Sequence, residues 1–356
     1  MTGSEDATRA PRAATVQETA EQPSPSLTGS ERPISLGERL RSPQTIVSFV
    51  VAFAIIFFVF RNLDLNFGEI WRNIRTANPL PIMLGFVVYY GSFPLRAARW
   101  RIILRNAGIS HQAGYPVPGL SGLSQIYCLS WFVNCLVPAK LGDAYRGYLL
   151  KKHARPSFGR TIGTIFAERV MDVFALVGLM LLATLLVFHG SMPSSVRYPI
   201  LLGVGLVIAG LCGLALLFRY GDALHVRLPL RVQPYYQRTQ EGLRTSFSRN
   251  GAHWVVLLTL SVWLLEGVRV WLVAMAFSVE LAPQDALFVA LLASLLTVIP
   301  LTPAGLGVVE GGTIVALKLL GVSAVDAGSI ALIDRGIAYW SVMLVGGVLY
   351  LFTRYK

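Results

Sequence analysis

The chain has 356 residues, of which 54% are hydrophobic and only 14% charged. Soluble domains carry about 25% charged residues, so a water-soluble globule is excluded. The formal net charge is +12, but the Lys and Arg gather in loops between apolar runs, the pattern of loops that meet anionic headgroups rather than of a nucleic-acid surface.

Residues 1–41 are rich in Ser, Thr, Pro, Ala and Glu and contain no apolar signal-peptide core, which predicts a disordered cytoplasmic tail. Residues 42–356 read as one transmembrane domain, because several apolar runs approach the ~20 residues that cross a bilayer. The first span is predicted over Gln44 to Phe60. The second, Leu80 to Leu95, ends in the basic cluster Arg96, Arg99, Arg101 and Arg105, and Gly91 with Pro94 marks a bend in it. Tyr115 to Leu150 is a broken apolar segment with basic residues on both sides, which suits a re-entrant hairpin entering from the cytoplasm. Thr161 to Phe188 crosses outward and Ile200 to Phe218 returns. An Arg-rich loop over 219–249 is then cytoplasmic.

Trp254 to Phe277 crosses outward again, and the loop with Glu280 and Asp285 lacks Lys and Arg. Ala286 to Leu320 is a second broken segment, expected to enter from outside. Ile330 to Phe352 crosses inward. The prediction is an all-α polytopic membrane protein of the cytoplasmic membrane. It has about six transmembrane helices plus two re-entrant hairpins, with both termini cytoplasmic; eight full spans are the alternative. Cys128, Cys135 and Cys212 all sit in apolar runs without a CxxC pair and read as small buried hydrophobes, so neither a disulfide nor a zinc site is expected.

The two broken segments resemble each other. Residues 133–142 align without gaps on 298–307, sharing a Pro-Ala-x-Leu-Gly core, and the same offset of 165 matches Gly147 to Gly312 and Gly163-Thr164-Ile165 to Gly328-Ser329-Ile330. An inverted repeat follows as an expectation, with halves around 80–188 and 252–352. Paired, interrupted apolar segments in two halves are the sequence mark of a transporter's substrate site. The expected breaks are Pro138 and Gly142 in the first copy and Pro300 and Pro303 in the second.

Ionisable residues inside spans cost at least ~2.5–3.5 kcal/mol each, so they point to a cavity. Glu168, Arg169 and Asp172 lie early in one span, and Asp334 and Arg335 take the corresponding place in the second half. Asp143 with Arg146 follows the first break, and Glu310 follows the second. Glu266 and Arg269, three apart, read equally well as an ion pair clamping the bundle. A half-helix starting within the membrane would aim amides at an anion. The expected substrate-binding set is therefore Lys140, Arg146, Arg169 and Arg335 with amides of Gly305 and Gly307. Arg96 and Arg99 read first as topological anchors, close enough to the span to meet an anionic headgroup. No metal, no cofactor and no nucleic acid are expected. HExxH, GxSxG and Walker patterns are absent from the sequence.

The Arg-x-x-Arg-Trp of Arg96 to Trp100, the Pro-Ala-Lys-Leu-Gly-Asp-x-x-Arg of Pro138 to Arg146, the Glu-Arg-x-x-Asp of Glu168 to Asp172 and the Pro-x-x-Pro-Ala-Gly-Leu-Gly-x-x-Glu of Pro300 to Glu310 occur together, with Asp334-Arg335 beyond them. In this combination the chain resembles the flippase-like membrane domain of lysylphosphatidylglycerol synthases over about Arg41 to Tyr355. The resemblance implies movement of a lipid with an anionic head between leaflets. In the aminoacylated-lipid branch of that family the domain is followed by a soluble aminoacyl transferase; the sequence departs from that pattern after its last span, so lysyl-lipid synthesis is not expected of it. Two other functions remain open at this point. One is an intramembrane lipid-modifying transferase with Glu168 or Glu310 as general base. The other is a non-catalytic accessory subunit of a separate lipid synthase. Oligomeric state is left open.

Overall fold

The computed structural model describes residues 43–62, 66–137, 141–188, 233–246, 251–297 and 302–355, together with isolated positions between 198 and 229. The expected tail 1–41, most of the expected span 200–218, and Pro138, Lys140 and Pro300 lie outside the described residues. Regular structure among the described residues is entirely helical.

The protein is an all-α polytopic membrane protein. Four helical stretches are long and apolar enough to cross a bilayer: Pro79–Ala113, Phe158–Phe188, Ala252–Ala276 and Ala324–Phe352. Shorter apolar helices cover Thr45–Phe58 and Pro283–Leu296. Val87, Leu185, Leu344 and Leu351 are exposed on these helices. Water would penalise such faces, whereas lipid does not.

Helix α1 (Pro43–Asn62) leads into α2 (Phe67–Thr76), an amphipathic helix whose N-cap Asn66 accepts the amides of Gly68 and Glu69. Asn78 then caps α3 (Pro79–Asn106), with proline in its first turn, where the missing amide costs nothing. Helix α3 continues unbroken through Gly91 and Pro94, so Arg96 and Arg99 belong to the helix itself rather than to a loop beyond it. Helices α4 (Leu120–Leu136) and α5 (Leu141–Ala154) pack together around the first break, and α6 (Phe158–Phe188) follows.

The order then recurs. Helix α7 (Gln233–Ser246) corresponds to α2, α8 (Ala252–Ala276) to α3, and α9 (Pro283–Leu296) with α10 (Val308–Leu319) to the pair around the break. Helix α11 (Ala324–Arg335), one π turn (Gly336–Trp340) and α12 (Ser341–Phe352) correspond to α6. One amphipathic helix precedes each of the stretches 80–188 and 252–352.

The halves reach into each other reciprocally. Helix α3 packs along α8, α4 on α12, and α9 on α6. The amphipathic helices cross over as well, α2 onto α11 and α7 onto α6. A Cβ on Gly163 would fall 2.3 Å from the Thr239 carbonyl oxygen, and one on Gly242 2.4 Å from that of Arg160, so only glycine permits this backbone approach. At the other crossing, Asn73 Nδ2 donates to Asp326 Oδ1 at 2.9 Å and to Ser329 Oγ at 3.1 Å. The repeated Gly163-Thr164-Ile165 and Gly328-Ser329-Ile330 therefore mark where the amphipathic helices dock.

The thiols divide. Cys128 and Cys135 are buried, but Cys212 is exposed, because a span accepts a small apolar side chain on its outer face as readily as inside.

Candidate functional site

A cavity of about 420 Å³ opens between α3, α4, α6, α8, α9 and α11. Four guanidinium groups line it, from Arg96, Arg169, Arg269 and Arg335. Three carboxylates face them, from Asp172, Glu266 and Asp334, and Tyr89, Trp131 and Trp263 supply aromatic surface.

In the first half, Arg99 is sealed from solvent and donates to Glu168 Oε1 and Asp172 Oδ1, both at 2.6 Å, and to Thr259 Oγ1 at 3.0 Å. Tyr127 also donates its hydroxyl to Glu168. Arg169, one residue after Glu168, grips Asp143 through two bonds of 2.8 and 2.6 Å. The planar fork of arginine matches a carboxylate in this geometry.

The second half repeats the scheme. Arg269 of α8 grips Asp334 through bonds of 2.7 and 3.1 Å. Arg335, the next residue, donates to Glu310 Oε1 at 2.9 Å and to the Ala304 carbonyl at 3.2 Å. In each half, then, an acid-Arg dipeptide binds through its acid to the first long helix and through its arginine to the helix after the break. Arg96 of α3 joins the second network, donating to Glu266 Oε1 at 2.7 Å, while Glu266 also pairs with Arg269. The guanidinium of Arg96 lies 4.8 Å from the Trp131 ring centroid, within cation–π range.

The breaks hold these groups in place. At the first, Gly142 donates its amide to Asn134 Oδ1 at 2.8 Å and accepts from Ser130 Oγ at 2.8 Å. A Cβ there would fall 1.9 Å from the Ser130 carbonyl oxygen. At the second, Pro303 opens a tight turn in which Ala304 takes φ +47°, a left-handed value that costs a non-glycine residue. The Arg335 bond to the Ala304 carbonyl helps to fix it. Gly307, at φ +88°, donates its amide to Glu310 Oε2 at 2.6 Å.

The predicted site residues divide accordingly. Arg96, Arg169, Arg335, Asp172 and Asp334 line the cavity. Asp143, Glu168 and Glu310 stand behind that wall as partners of its arginines or of Arg99. Arg99 and Arg146 are fully enclosed, so neither meets an entering headgroup. Arg146 lies 3.1 Å from Glu168 and packs over the rings of Tyr127 and Trp100. The amides of Gly305 and Gly307 are not aimed at a ligand: the first bonds to the Thr302 carbonyl at 3.2 Å and the second to Glu310. The cavity is also not the cationic cradle that the arginines suggested, because each arginine in its wall already holds a carboxylate.

Glu266 and Arg269 prove to be wall residues as well as a clamp. Sequence reasoning missed the aromatic wall of Tyr89, Trp131 and Trp263. The signal for Trp263 is present in the chain, since Trp263, Glu266 and Arg269 recur at helical spacing on one face of α8.

Residues 45–346 match the family model described as the lysylphosphatidylglycerol synthase TM region. The chain belongs to this family. Similar proteins include a UPF0104 membrane protein of Methanocaldococcus jannaschii, 35% identical over 62% of this chain and 93% of that one. A UPF0104 membrane protein of Methanothermobacter thermautotrophicus is 25% identical over 78% of this chain and 87% of its own. The glycosyltransferase AglD of Haloferax volcanii is 26% identical over 88% of this chain but only 55% of its own length. Much of AglD therefore has no counterpart in the match.

Proposed function

We propose that this protein moves a lipid with a phosphate-bearing head between the leaflets of the cytoplasmic membrane. The observation that carries the reading is a 420 Å³ cavity, walled by both halves, that gathers ionisable groups within an otherwise apolar helical body. Such groups are costly inside a bilayer and mark pathways for polar cargo. The head would pass through the cavity while the acyl chains stay in lipid. The two halves are read as an inverted repeat, with α4–α5 and α9–α10 as hairpins entering from opposite sides and opening alternately. Arg169 is the first contact for the phosphate, because its side chain is 32% exposed while those of Arg96, Arg269 and Arg335 are 6–8% exposed.

The test is a leaflet-exchange assay in proteoliposomes with acyl-chain-labelled lipids and a membrane-impermeant quencher. Wild type is expected to render inner-leaflet label quenchable, and Arg169→Ala to slow this about tenfold, the loss of one charge-assisted contact of about 1.4 kcal/mol. Exchange no faster than in protein-free liposomes sinks the proposal. Chemical conversion of the lipid without exchange would instead favour a transferase.

A further inference from the structure

The charge balance of the cavity says more about the head it takes, provided the cavity is the headgroup path proposed above. Six buried or half-buried arginines belong to the network (Arg96, Arg99, Arg146, Arg169, Arg269 and Arg335), and six carboxylates answer them: Asp143, Glu168, Asp172, Glu266, Glu310 and Asp334. A phosphate that binds an arginine of this wall competes for its charge with the carboxylate already paired to it. That carboxylate is then left uncompensated where water is scarce, which is strongly unfavourable.

We infer that the head recognised here is zwitterionic, carrying an ammonium group beside its phosphate. The phosphate displaces Asp172 from Arg169, and the ammonium returns a positive charge to the carboxylates lining the cavity, Asp172 and Glu266. The wall stays neutral throughout. Trp131 and Trp263 line the cavity, but their unpartnered indole N–H groups are buried, so these residues offer ring surface rather than donors to the head. A purely anionic head leaves the network of described residues one negative charge in excess, and hydroxyls on such a head do not correct it.

Binding tests this separately from movement. Purified wild type in amphipol is titrated with dihexanoyl phosphatidylethanolamine, dihexanoyl phosphatidylcholine and dihexanoyl phosphatidylglycerol, followed by tryptophan fluorescence. The two zwitterionic lipids are expected to bind at least about tenfold more tightly than the glycerol-headed one, a difference of about 1.4 kcal/mol. Equal binding of all three, tighter binding of phosphatidylglycerol, or binding of none overturns the inference. In Glu266→Gln, which frees part of Arg96 and Arg269, the preference is expected to shrink to within about threefold; an unchanged ratio in folded variant also overturns it. Proteoliposomes with labelled phosphatidylethanolamine or phosphatidylglycerol separate the two readings. A zwitterionic binding preference without exchange of either lipid refutes translocation and leaves this inference standing. Exchange of both, with phosphatidylglycerol bound as tightly, does the reverse.

Discussion

The two halves hold the same acid-arginine clasp under different conditions. In the first half, Arg169 and Asp143 are 32% and 19% exposed; in the second, Arg335 and Glu310 are 8% and 5% exposed. Arg169 holds Asp143 through two bonds, whereas Arg335 gives one to Glu310 and one to the Ala304 carbonyl, so access separates them as well as bonding. An exposed ion pair contributes little to stability, because water already solvates both partners, and it exchanges readily with a ligand. A sealed pair contributes little when intact but is costly to halve. The first clasp is thus placed to trade partners while the second holds the fold. The first half also carries Arg146, enclosed over two aromatic rings, whereas the position at the repeat offset of 165 in the second half is Gly311.

The largest effect is expected from Glu168→Ala. This change strips the carboxylate from both Arg99 and Arg146 in a sealed site, so about 3–5 kcal/mol of stability should be lost. Thermal melting in detergent reads this as loss of the folded species. Next comes a direct contrast of the clasps. Arg335→Ala should cost about 3 kcal/mol because Glu310 is left buried and charged, whereas Arg169→Ala should cost no more than about 1 kcal/mol. Equal falls in melting temperature would erase the distinction between the halves.

Gly142→Ala comes third, at about 1–3 kcal/mol, since the new methyl meets the Ser130 backbone and cannot move aside. At Gly312 the nearest atom is a Leu296 side-chain carbon, and Gly312→Ala should be milder by the same melting measurement. The smallest effect is expected for Arg146→Met. Glu168 keeps Arg99, and an apolar side chain suits the aromatic pocket, so stability should change by less than about 1 kcal/mol in either direction. A severe loss would show that Arg146 is essential to the first network.

Much of this was legible in the chain. Composition and apolar run length dictate a helical membrane protein, and the Pro-Ala-x-Leu-Gly copies locate both breaks. Charged residues within spans pointed to Arg169, Asp172, Asp334 and Arg335, because a charge facing lipid is too costly to persist and must turn toward a polar interior. Which arginine meets which carboxylate was not legible, since Arg99 and Glu168 come from separate helices and their pairing depends on packing. The donor role expected of Gly305 and Gly307 failed for a related reason: a glycine's freedom is visible in sequence, but the acceptor its amide finds is not. Glu266 and Arg269 looked self-sufficient at three residues apart, and only the crossing of α3 over α8 brings Arg96 to the same carboxylate. Helices α2 and α7 escaped notice because neither is apolar enough to register as a span.

The crossing of those two amphipathic helices sets an order of events during translation. Gly159 and Gly163 emerge from the ribosome with no partner until α7 has been made, and Asn73 waits across a separation of 253 residues for Asp326. The first of these contacts needs only the chain through α7, but the second cannot form before the last quarter of the polypeptide has been inserted, and a nascent chain stalled ahead of α11 would carry an unanswered asparagine as the mark of its incompleteness.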